Sequence, residues 1–214
     1  MIEQLDFAEP FFSVDYVENE DEYWVEKNSI IINLAERSQT IMYIKGIPIM
    51  PLKGTIAKGV YVKNIGQALV VKDYERCDLN DIQTIQAIKR TWKSLYECSG
   101  LERHKGLPYY KSPKFKVGEG RNHIEVNFCF VSEPLAPSGL HQLHDRDFDE
   151  VHAQIRGFGM MQKFVENDPN TYFGEYIMAP GIVHDKFYDE TGYYPWHQYQ
   201  SITPCVYCPI EIDR

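Results

Sequence analysis

One polar run is the most informative part of this chain: His144-Asp-Arg-Asp-Phe-Asp-Glu150-Val-His152-Ala-Gln154-Ile-Arg-Gly157-Phe-Gly159. Because side chains alternate between the two faces of a strand, Glu150, His152 and Gln154 are predicted to share one face. That face is too polar for ordinary core, since burying unpaired polar groups costs free energy. The pattern therefore predicts that a metal ion or a hydrogen-bond network satisfies these three side chains.

A second run later in the chain extends this pattern. Six residues separate Glu150 from Gly157, and the run Pro180-Gly181-Ile-Val-His184 follows. Together the two runs resemble the two motifs of the cupin family, although the usual His-x-His is absent and the second motif lacks one residue between its proline and glycine. Five residues separate a single histidine, His144, from Glu150. That spacing is similar to the iron site of cupin dioxygenases such as 3-hydroxyanthranilate and homogentisate dioxygenases.

The cupin resemblance implies a metal site and a fold. His144, Glu150 and His184 would be the metal ligands. Two imidazoles and one carboxylate form the facial triad of non-haem Fe(II), so Fe(II) is the expected ion, with Zn, Mn or Ni as alternatives. The implied fold is mostly β, a cupin jelly-roll β-barrel with an N-terminal β-rich extension and one long helix. We expect residues 1–214 to form a single domain, with the extension and helix in residues 1–100 and the metal-binding barrel core in residues 121–214.

Two further histidines are predicted to serve catalysis. His152, beside Glu150 on the strand, would move protons or orient a ligand, and its structural alternative is a supporting hydrogen bond. His197 is a candidate acid or base, and a hydrogen-bonded structural histidine is an equal alternative. His141 is a rival to His144 as the first metal ligand. It stands three residues from His144, so in extended structure the two rings point to opposite faces.

Three other residues are predicted to contact the substrate. Arg146 would bind a substrate carboxylate in bidentate fashion, and an ion pair with a neighbouring aspartate is an equal alternative. Gln154 extends the polar face of the motif strand, and Trp196 would help to wall the pocket.

The resemblance implies a cupin metalloenzyme, foremost an Fe(II)-dependent dioxygenase acting on a small polar or aromatic substrate. Two alternatives stay open. One is a metal-dependent isomerase, epimerase or lyase that uses the ion as a Lewis acid. The other is a cupin that binds a small molecule without turnover.

Composition limits the partners that we expect. The net charge is −9, and nucleic-acid binding needs a basic surface, so a small-molecule substrate is expected and a nucleic acid is not. No apolar run is long enough to cross a membrane, and the N-terminus Met-Ile-Glu-Gln-Leu-Asp has no signal-peptide pattern. We therefore expect a cytoplasmic protein whose five cysteines are reduced. A homodimer that swaps the aromatic N-terminal arm is compatible with the sequence.

The N-terminal half is predicted to be rich in strands. Residues 29–72 contain β-forming runs, with a turn expected at Asn64-Ile-Gly66, and could form a degenerate cupin repeat. No histidine precedes His104, so this half could not hold a histidine-based metal site. The aromatic residues before residue 28 are expected to pack an arm onto the barrel.

Three other segments have distinct sequence patterns. Apolar spacings of three and four predict one helix over residues 79–98, with Asp78 as N-cap. Residues 100–120 are rich in Gly, Pro and Lys and are predicted to be a solvated connector, with a loop over an anionic ligand as the alternative. Cys205-Val-Tyr-Cys208 is a lone Cys-x-x-Cys in a β-rich run, so neither a zinc site nor a redox role is inferred from it.

Overall fold

The structure, a computed structural model, describes residues 1–35, 40–118, 123–142 and 147–213. The prediction of a mostly β fold is confirmed. The described residues form three antiparallel sheets and two short α-helices. Within these residues, no helix has the length and apolar character needed to cross a membrane.

The first sheet is built from the N-terminal part of the chain. Its strands are β1 (Ile2–Leu5), β2 (Ser13–Val25), β3 (Ser29–Asn33), β4 (Met42–Ile44), β5 (Ile47–Ile49), β6 (Gly54–Ala57) and β7 (Val60–Lys72). They run in the order β1-β2-β7-β3-β6, and β4 pairs with both β5 and β7. One face packs on the rest of the protein, and the other holds a hydrophobic cluster of its own that includes Ile31, Met42 and Val70.

The turn expected at Asn64-Ile-Gly66 is wrong, because β7 runs through it without a break. Asn64 has a φ of 58°, which is the left-handed conformation that asparagine tolerates better than most residues. Gly66 allows the side chain of Thr40 to pack closely against the strand, since a Cβ at residue 66 would lie 2.2 Å from Cγ2 of Thr40. The two turn-forming residues therefore accommodate a local irregularity within one long strand.

The second sheet has the C-terminal strand at its centre. Its strands are β8 (Lys93–Ser94), β9 (Tyr109–Lys111), β10 (Phe115–Val117), β11 (Ile124–Val126), β12 (Cys129–Val131), β13 (Phe148–Arg156) and β17 (Cys205–Asp213). The order is β10-β11-β17-β12-β9-β8, and β13 pairs with β17 as well. Residues 100–120 are therefore not a simple connector, because they supply β9 and β10 to this sheet.

The helix expected over residues 79–98 is two helices in the structure, α1 (Ile82–Thr91) and α2 (Leu95–Ser99). The first begins after Asp81, not Asp78, because the Asp81 carboxylate accepts from the backbone nitrogens of residues 83 and 84. The second begins after Ser94, whose Oγ accepts from the backbone nitrogen of Glu97 while the Glu97 carboxylate accepts from that of Ser94. This capping box starts a new helix inside a continuous apolar spacing.

The third sheet lies across a cavity from the second. It consists of β14 (Gly159–Phe164), β15 (Tyr172–Met178) and β16 (Trp196–Ser201), in the order β15-β14-β16. Met161 and Tyr199 from this sheet share a hydrophobic cluster with Tyr207 of the second sheet. The two sheets therefore enclose the interior in which the polar face of β13 lies.

The aromatic N-terminal arm packs on the other side of the second sheet, as predicted. The rings of Phe7 and Phe12 meet the ring of Phe128 edge to face, with centroid distances of 5.2 and 5.3 Å. Val151, Ala153 and Ile155 belong to the same buried cluster. Burying an aliphatic side chain of this kind contributes roughly 1.5–3 kcal/mol, so this cluster fixes β13 against the N-terminal sheet.

Candidate metal centre

The predicted alternation along β13 is confirmed. Glu150, His152 and Gln154 point away from the first-sheet core and pair in register with Glu211, Pro209 and Tyr207 of β17. All three side chains are buried. A one-residue shift in register would place them in the apolar cluster instead, so the packing of Val151 and its neighbours holds the polar face toward the interior.

A cavity of about 210 Å³ opens over this polar face. It is enclosed by residues of the second and third sheets, the second helix and the turn that follows it. The lining residues are Leu95, Ser99, Leu101, Arg103, His104, Lys111, Ser138, His141, Phe148, Glu150, His152, Met161, Tyr199, Tyr207, Pro209 and Glu211.

Among the residues that the structure describes, one group could hold a metal ion: His141, Glu150 and His197, whose ligand atoms all lie within 4.8 Å of one another. Two of them are brought together by the backbone. The backbone nitrogen of His141 donates to the backbone carbonyl of His197 at 3.1 Å, and the backbone nitrogen of His197 donates to the carbonyl of His141 at 2.9 Å. The two rings consequently lie side by side, with centroids 4.3 Å apart. Glu150 approaches them from β13.

The tautomers of these two histidines suit metal binding. His141 Nδ1 lies 3.0 Å from the carbonyl oxygen of Gly139, and His197 Nδ1 lies 3.1 Å from that of Pro195. A carbonyl oxygen only accepts hydrogen bonds, so both Nδ1 atoms carry a proton, and in the neutral form of each ring Nε2 then carries the lone pair. Metal-ligating histidines are usually oriented in this way. The donor set therefore matches the two neutral imidazoles and one carboxylate of a facial triad.

His184 lies beside β13 but makes different contacts. The backbone nitrogen of Gln154 donates to Ile182 and that of Gly181 donates back to Gln154, so the two motif segments run side by side. His184 Nδ1 lies 2.7 Å from the Asp185 carbonyl, and Nε2 accepts from the backbone nitrogen of His152 at 2.9 Å. In this arrangement the lone pair of Nε2 serves the backbone of β13, and the role of His184 as a metal ligand stays a prediction.

His152 stands between His184 and Glu150. Its Nδ1 is 2.9 Å from His184 Nε2, and its Nε2 is 3.6 Å from Oε2 of Glu150. The ring packs edge-on against Tyr207, with centroids 5.2 Å apart. His152 is therefore held in one orientation at the cavity wall, close to the carboxylate of Glu150, which belongs to the candidate metal group.

The acid stability of the protein should reflect His184. Burial, and then the nearby charge of His152, lower the pKa of His184 from its ordinary 6.5 to about 3. Between these two pH values His184 binds a proton in the unfolded chain but not in the folded chain. Its contribution to the free energy of unfolding is therefore complete above pH 6.5 and is lost as the pH decreases toward 3. The expected slope is roughly 1.4 kcal/mol per pH unit.

Urea unfolding between neutral and acidic pH, in the presence of a chelator, measures this slope. The variant His184→Gln should lose most of it while retaining the slope that comes from carboxylates elsewhere in the protein. Equal slopes in the variant and the parent would show that His184 is not the group responsible.

Gln154 supports the turn after the motif strand. Its Nε2 donates to the carbonyls of Arg156 and Gly157, and its Oε1 accepts from the Tyr199 hydroxyl at 2.8 Å. Gln154 is buried and is not among the residues that line the cavity. Its amide therefore holds β13, the turn and β16 together, and its contact with a substrate stays a prediction.

Three other predicted site residues are not among the described residues that line the cavity. His144 and Arg146 fall outside the described residues, so the structure gives no account of them. Trp196 alternates with the buried His197 and Tyr199 along β16, which places its ring on the opposite face of the strand from the cavity. The structure therefore brings Glu150, His152 and His197 together with His141, the rival first ligand, and leaves Trp196 apart.

The two cysteines of Cys205-Val-Tyr-Cys208 lie in different parts of the core. Cys205 belongs to the cluster between the second and third sheets, and Cys208 to the cluster against the first sheet. Residues three apart in a strand point to opposite faces, which accounts for this separation. Burial raises the pKa of the Cys205 thiol to about 12 and also raises the pKa of the Cys208 thiol.

Several cavity residues were not predicted from the sequence. Tyr199 could have been found, since it alternates with His197 on β16. Glu211 gave no local signal, because it reaches the cavity through pairing with β13 across 61 residues of chain. In the structure Lys114 bridges Glu211 and Glu125, with distances of 2.7 and 2.6 Å.

Comparison with known proteins adds a resemblance of fold. No protein-family description and no curated protein sequence matches the chain. Solved structures do match, and several of them are described as cupins.

Three of the matching structures illustrate the likeness. One is oxalate oxidase in complex with a substrate analogue, glycolate, with 12% identity, 51% of this chain and 52% of that chain covered, and a TM-score of 0.36. Another is salicylate 1,2-dioxygenase from Pseudoaminobacter salicylatoxidans with gentisate, with 9% identity, 95% and 68% coverage, and a TM-score of 0.37. The third is a cupin 2 conserved barrel domain protein from Leptotrichia buccalis, with 9% identity, 100% and 88% coverage, and a TM-score of 0.36. The chain thus spans about half of the oxalate oxidase chain.

Proposed function

We propose that this protein is a metal-dependent cupin-type enzyme, and that its reaction is an Fe(II)-dependent dioxygenation of a small polar or aromatic substrate. The observation that carries the proposal is the convergence of His141, Glu150 and His197 beside a cavity, with ligand atoms within 4.8 Å of one another. A bound Fe(II) ion would supply open positions for substrate oxygen atoms and for O₂.

The residues around the group suit the holding of such an ion. The rings of Phe187 and Tyr194 pack against His197 with centroid distances of 5.8 and 5.0 Å, so that His197 is fully buried and water is kept from this side. A low local dielectric strengthens the interaction between a cation and the Glu150 carboxylate. His152, within 3.6 Å of that carboxylate, is placed to hold or pass a proton at its Nε2.

Two ligand sets share Glu150. The cupin motif spacing favours His144 and His184 as its partners, and the tautomers described above favour His141 and His197. We favour the second set because the Nε2 lone pair of His184 accepts a backbone N–H. Substitution of each histidine decides between them, and the expected pattern is given in the Discussion.

Oxygen uptake tests the reaction. Protein purified without chelator, or reconstituted anaerobically with Fe(II), should hold about one iron per chain and should consume O₂ with small aromatic or keto acids. Uptake should stop when the iron is removed and return when it is restored. Reconstitution with Zn(II) is the matched control, because it fills the site without supporting oxygen chemistry.

The other outcomes are distinguishable. Protein that holds no first-row metal after reconstitution would contradict the metal site. Protein that holds a metal but consumes no oxygen would instead indicate an isomerase, epimerase or lyase that uses the ion as a Lewis acid. Thermal stabilisation by a small molecule without any metal would indicate a non-catalytic binding protein.

A further inference from the structure

The mouth of the cavity is basic in a protein whose net charge is −9. Lys111 on β9 is half-buried in the lining, and Arg103 stands exposed at the rim. Among the described residues, neither side chain has a carboxylate within 4.0 Å, whereas Lys105, Lys114 and Lys116 of the same segment all form ion pairs. The two cations that line the cavity therefore differ from their neighbours, since the neighbours are already neutralised.

The strand pairing at this mouth places like charges together. Lys111 pairs directly with Lys93 of β8. Like charges at directly opposed positions destabilise a sheet, and an anion between or beside them would offset that repulsion. For Lys93 too, no carboxylate lies within ion-pair distance in the part of the chain that the structure describes.

Arg103 is oriented by its neighbours. Its Nε donates to Nε2 of His104 at 3.2 Å, and Nδ1 of His104 lies 2.7 Å from Oγ of Ser99. Burial, and then the charge of Arg103, lower the pKa of His104. Because a guanidinium bound through Nε still presents its terminal N–H donors, Arg103 can meet a carboxylate at the rim.

The inner end of the cavity has the opposite character. Glu150 and Glu211 lie on its floor, and Lys114 pairs with Glu211. An anionic group would be repelled there unless a cation neutralises Glu150, whereas the rim attracts it. The cavity thus distinguishes two ends of a ligand by charge. Its volume of about 210 Å³ exceeds the roughly 150 Å³ of a cavity known to admit benzene, so one substituted ring has room.

We propose that the cavity takes a small organic carboxylate, whose carboxylate group is held by Lys111 and Arg103 at the rim while its other end faces Glu150 and His141. The placing of the reacting end rests on the proposed function. The recognition of the carboxylate by the rim does not, because it requires no metal. The segment that carries this rim is residues 103–111, which also supplies β9.

Paired binding measurements test the inference. Benzoate and benzamide have the same shape and differ in charge, so calorimetric titration of both into the parent protein isolates the contribution of charge. Benzoate should bind at least about tenfold more tightly than benzamide, and more weakly as salt is added. Lys111→Gln should weaken benzoate about tenfold and Arg103→Gln several-fold, without changing benzamide.

Lys105→Gln is the matched control, since Lys105 lies in the same turn but outside the lining and pairs with Glu102. It should leave benzoate affinity within about twofold of the parent. Equal affinity for benzoate and benzamide, no benzoate binding at about 10 mM, or equal losses in the Lys105 and Lys111 variants would each overturn the inference. The comparison of the two ligands needs only the parent, so it stands even if a variant does not fold.

The same titration on chelator-treated and on iron-loaded protein separates this inference from the proposed function. A preference for benzoate in protein that cannot hold a metal would support the basic rim and contradict the metal site. Iron binding with oxygen uptake but without charge preference would support the metal site and overturn the basic rim.

Discussion

Glu150→Gln should abolish tight metal binding. The substitution preserves shape but removes the negative charge that both candidate ligand sets require. Loss of a group that only supports a metal ligand costs 10–100-fold in affinity, so loss of this ligand should cost more than about 100-fold. Metal content after purification, followed by competition against a chromophoric chelator, measures the change.

The control for this prediction is Glu211→Gln. Glu211 lies directly opposite Glu150 in the strand register and lines the same cavity, yet it is paired with Lys114 and lies outside the candidate group. Its substitution should leave metal affinity within about tenfold of the parent. Equal losses in the two variants would mean that the general negative charge of the cavity, not coordination by Glu150, holds the ion.

The histidine variants then decide between the two ligand sets. If the tautomers indicate the ligands, His141→Ala and His197→Ala should lose the metal, and His144→Ala and His184→Ala should retain it. The opposite pattern would establish the set that the cupin motif spacing implies. Circular dichroism of each variant guards against loss of metal through unfolding, which matters most for the buried His184 and His197.

Gly159→Ala should strongly destabilise the fold. A Cβ at this position would lie 1.9 Å from the hydroxyl oxygen and 2.3 Å from Cζ of Tyr199. The Tyr199 ring cannot move aside easily, because it stacks on Tyr207 at 3.9 Å and its hydroxyl bonds to Gln154. Overpacking of this severity costs about 3 kcal/mol or more, which corresponds to a decrease in Tm of about 6–12 °C.

Gly174→Ala is the matched control in the same sheet. A Cβ at Gly174 would meet only Cε of Lys163, at 3.8 Å, which is an ordinary contact. Its Tm should stay the same or rise slightly, because alanine reduces the conformational freedom of the unfolded chain. A thermal scan in which both variants behave alike would show that the close approach of Tyr199 to Gly159 is not a constraint on the fold.

Some local features of the fold were predicted from the sequence and others were not. The alternation from Glu150 to Ile155 set both the strand and its polar face, because the two-residue period leaves a distinct pattern. The helix over residues 79–98 was predicted as one element because its apolar spacing is continuous. The break depends on hydrogen bonds between Ser94 and Glu97, which the spacing does not reveal. Strands β9 and β10 were missed because their Gly-, Pro- and Lys-rich surroundings are typical of loops.

The candidate site was predicted less completely, and the reason is long-range pairing. Glu150, His152 and His197 were recognised as polar residues in strand patterns. The partnership of His141 with His197 depends on a backbone pairing between segments that are 56 residues apart, which no local pattern specifies. The cupin motif spacing predicted His184 as a metal ligand instead. The basic rim lies in residues 100–120, for which a loop over an anionic ligand was the alternative prediction. That Lys111 lines the cavity could not be predicted, because it approaches the cavity only after β9 joins the second sheet.

The central position of β17 has a consequence for synthesis of the protein. β17 comes after every one of its partners in the chain, and β11, β12 and β13 all depend on it for backbone hydrogen bonds. The first sheet, by contrast, is complete by residue 72. On the ribosome the N-terminal sheet can therefore form early, while the walls of the cavity must await the emergence of β17. Until then the faces of β11, β12 and β13 that pack in the core lack the strand that joins them.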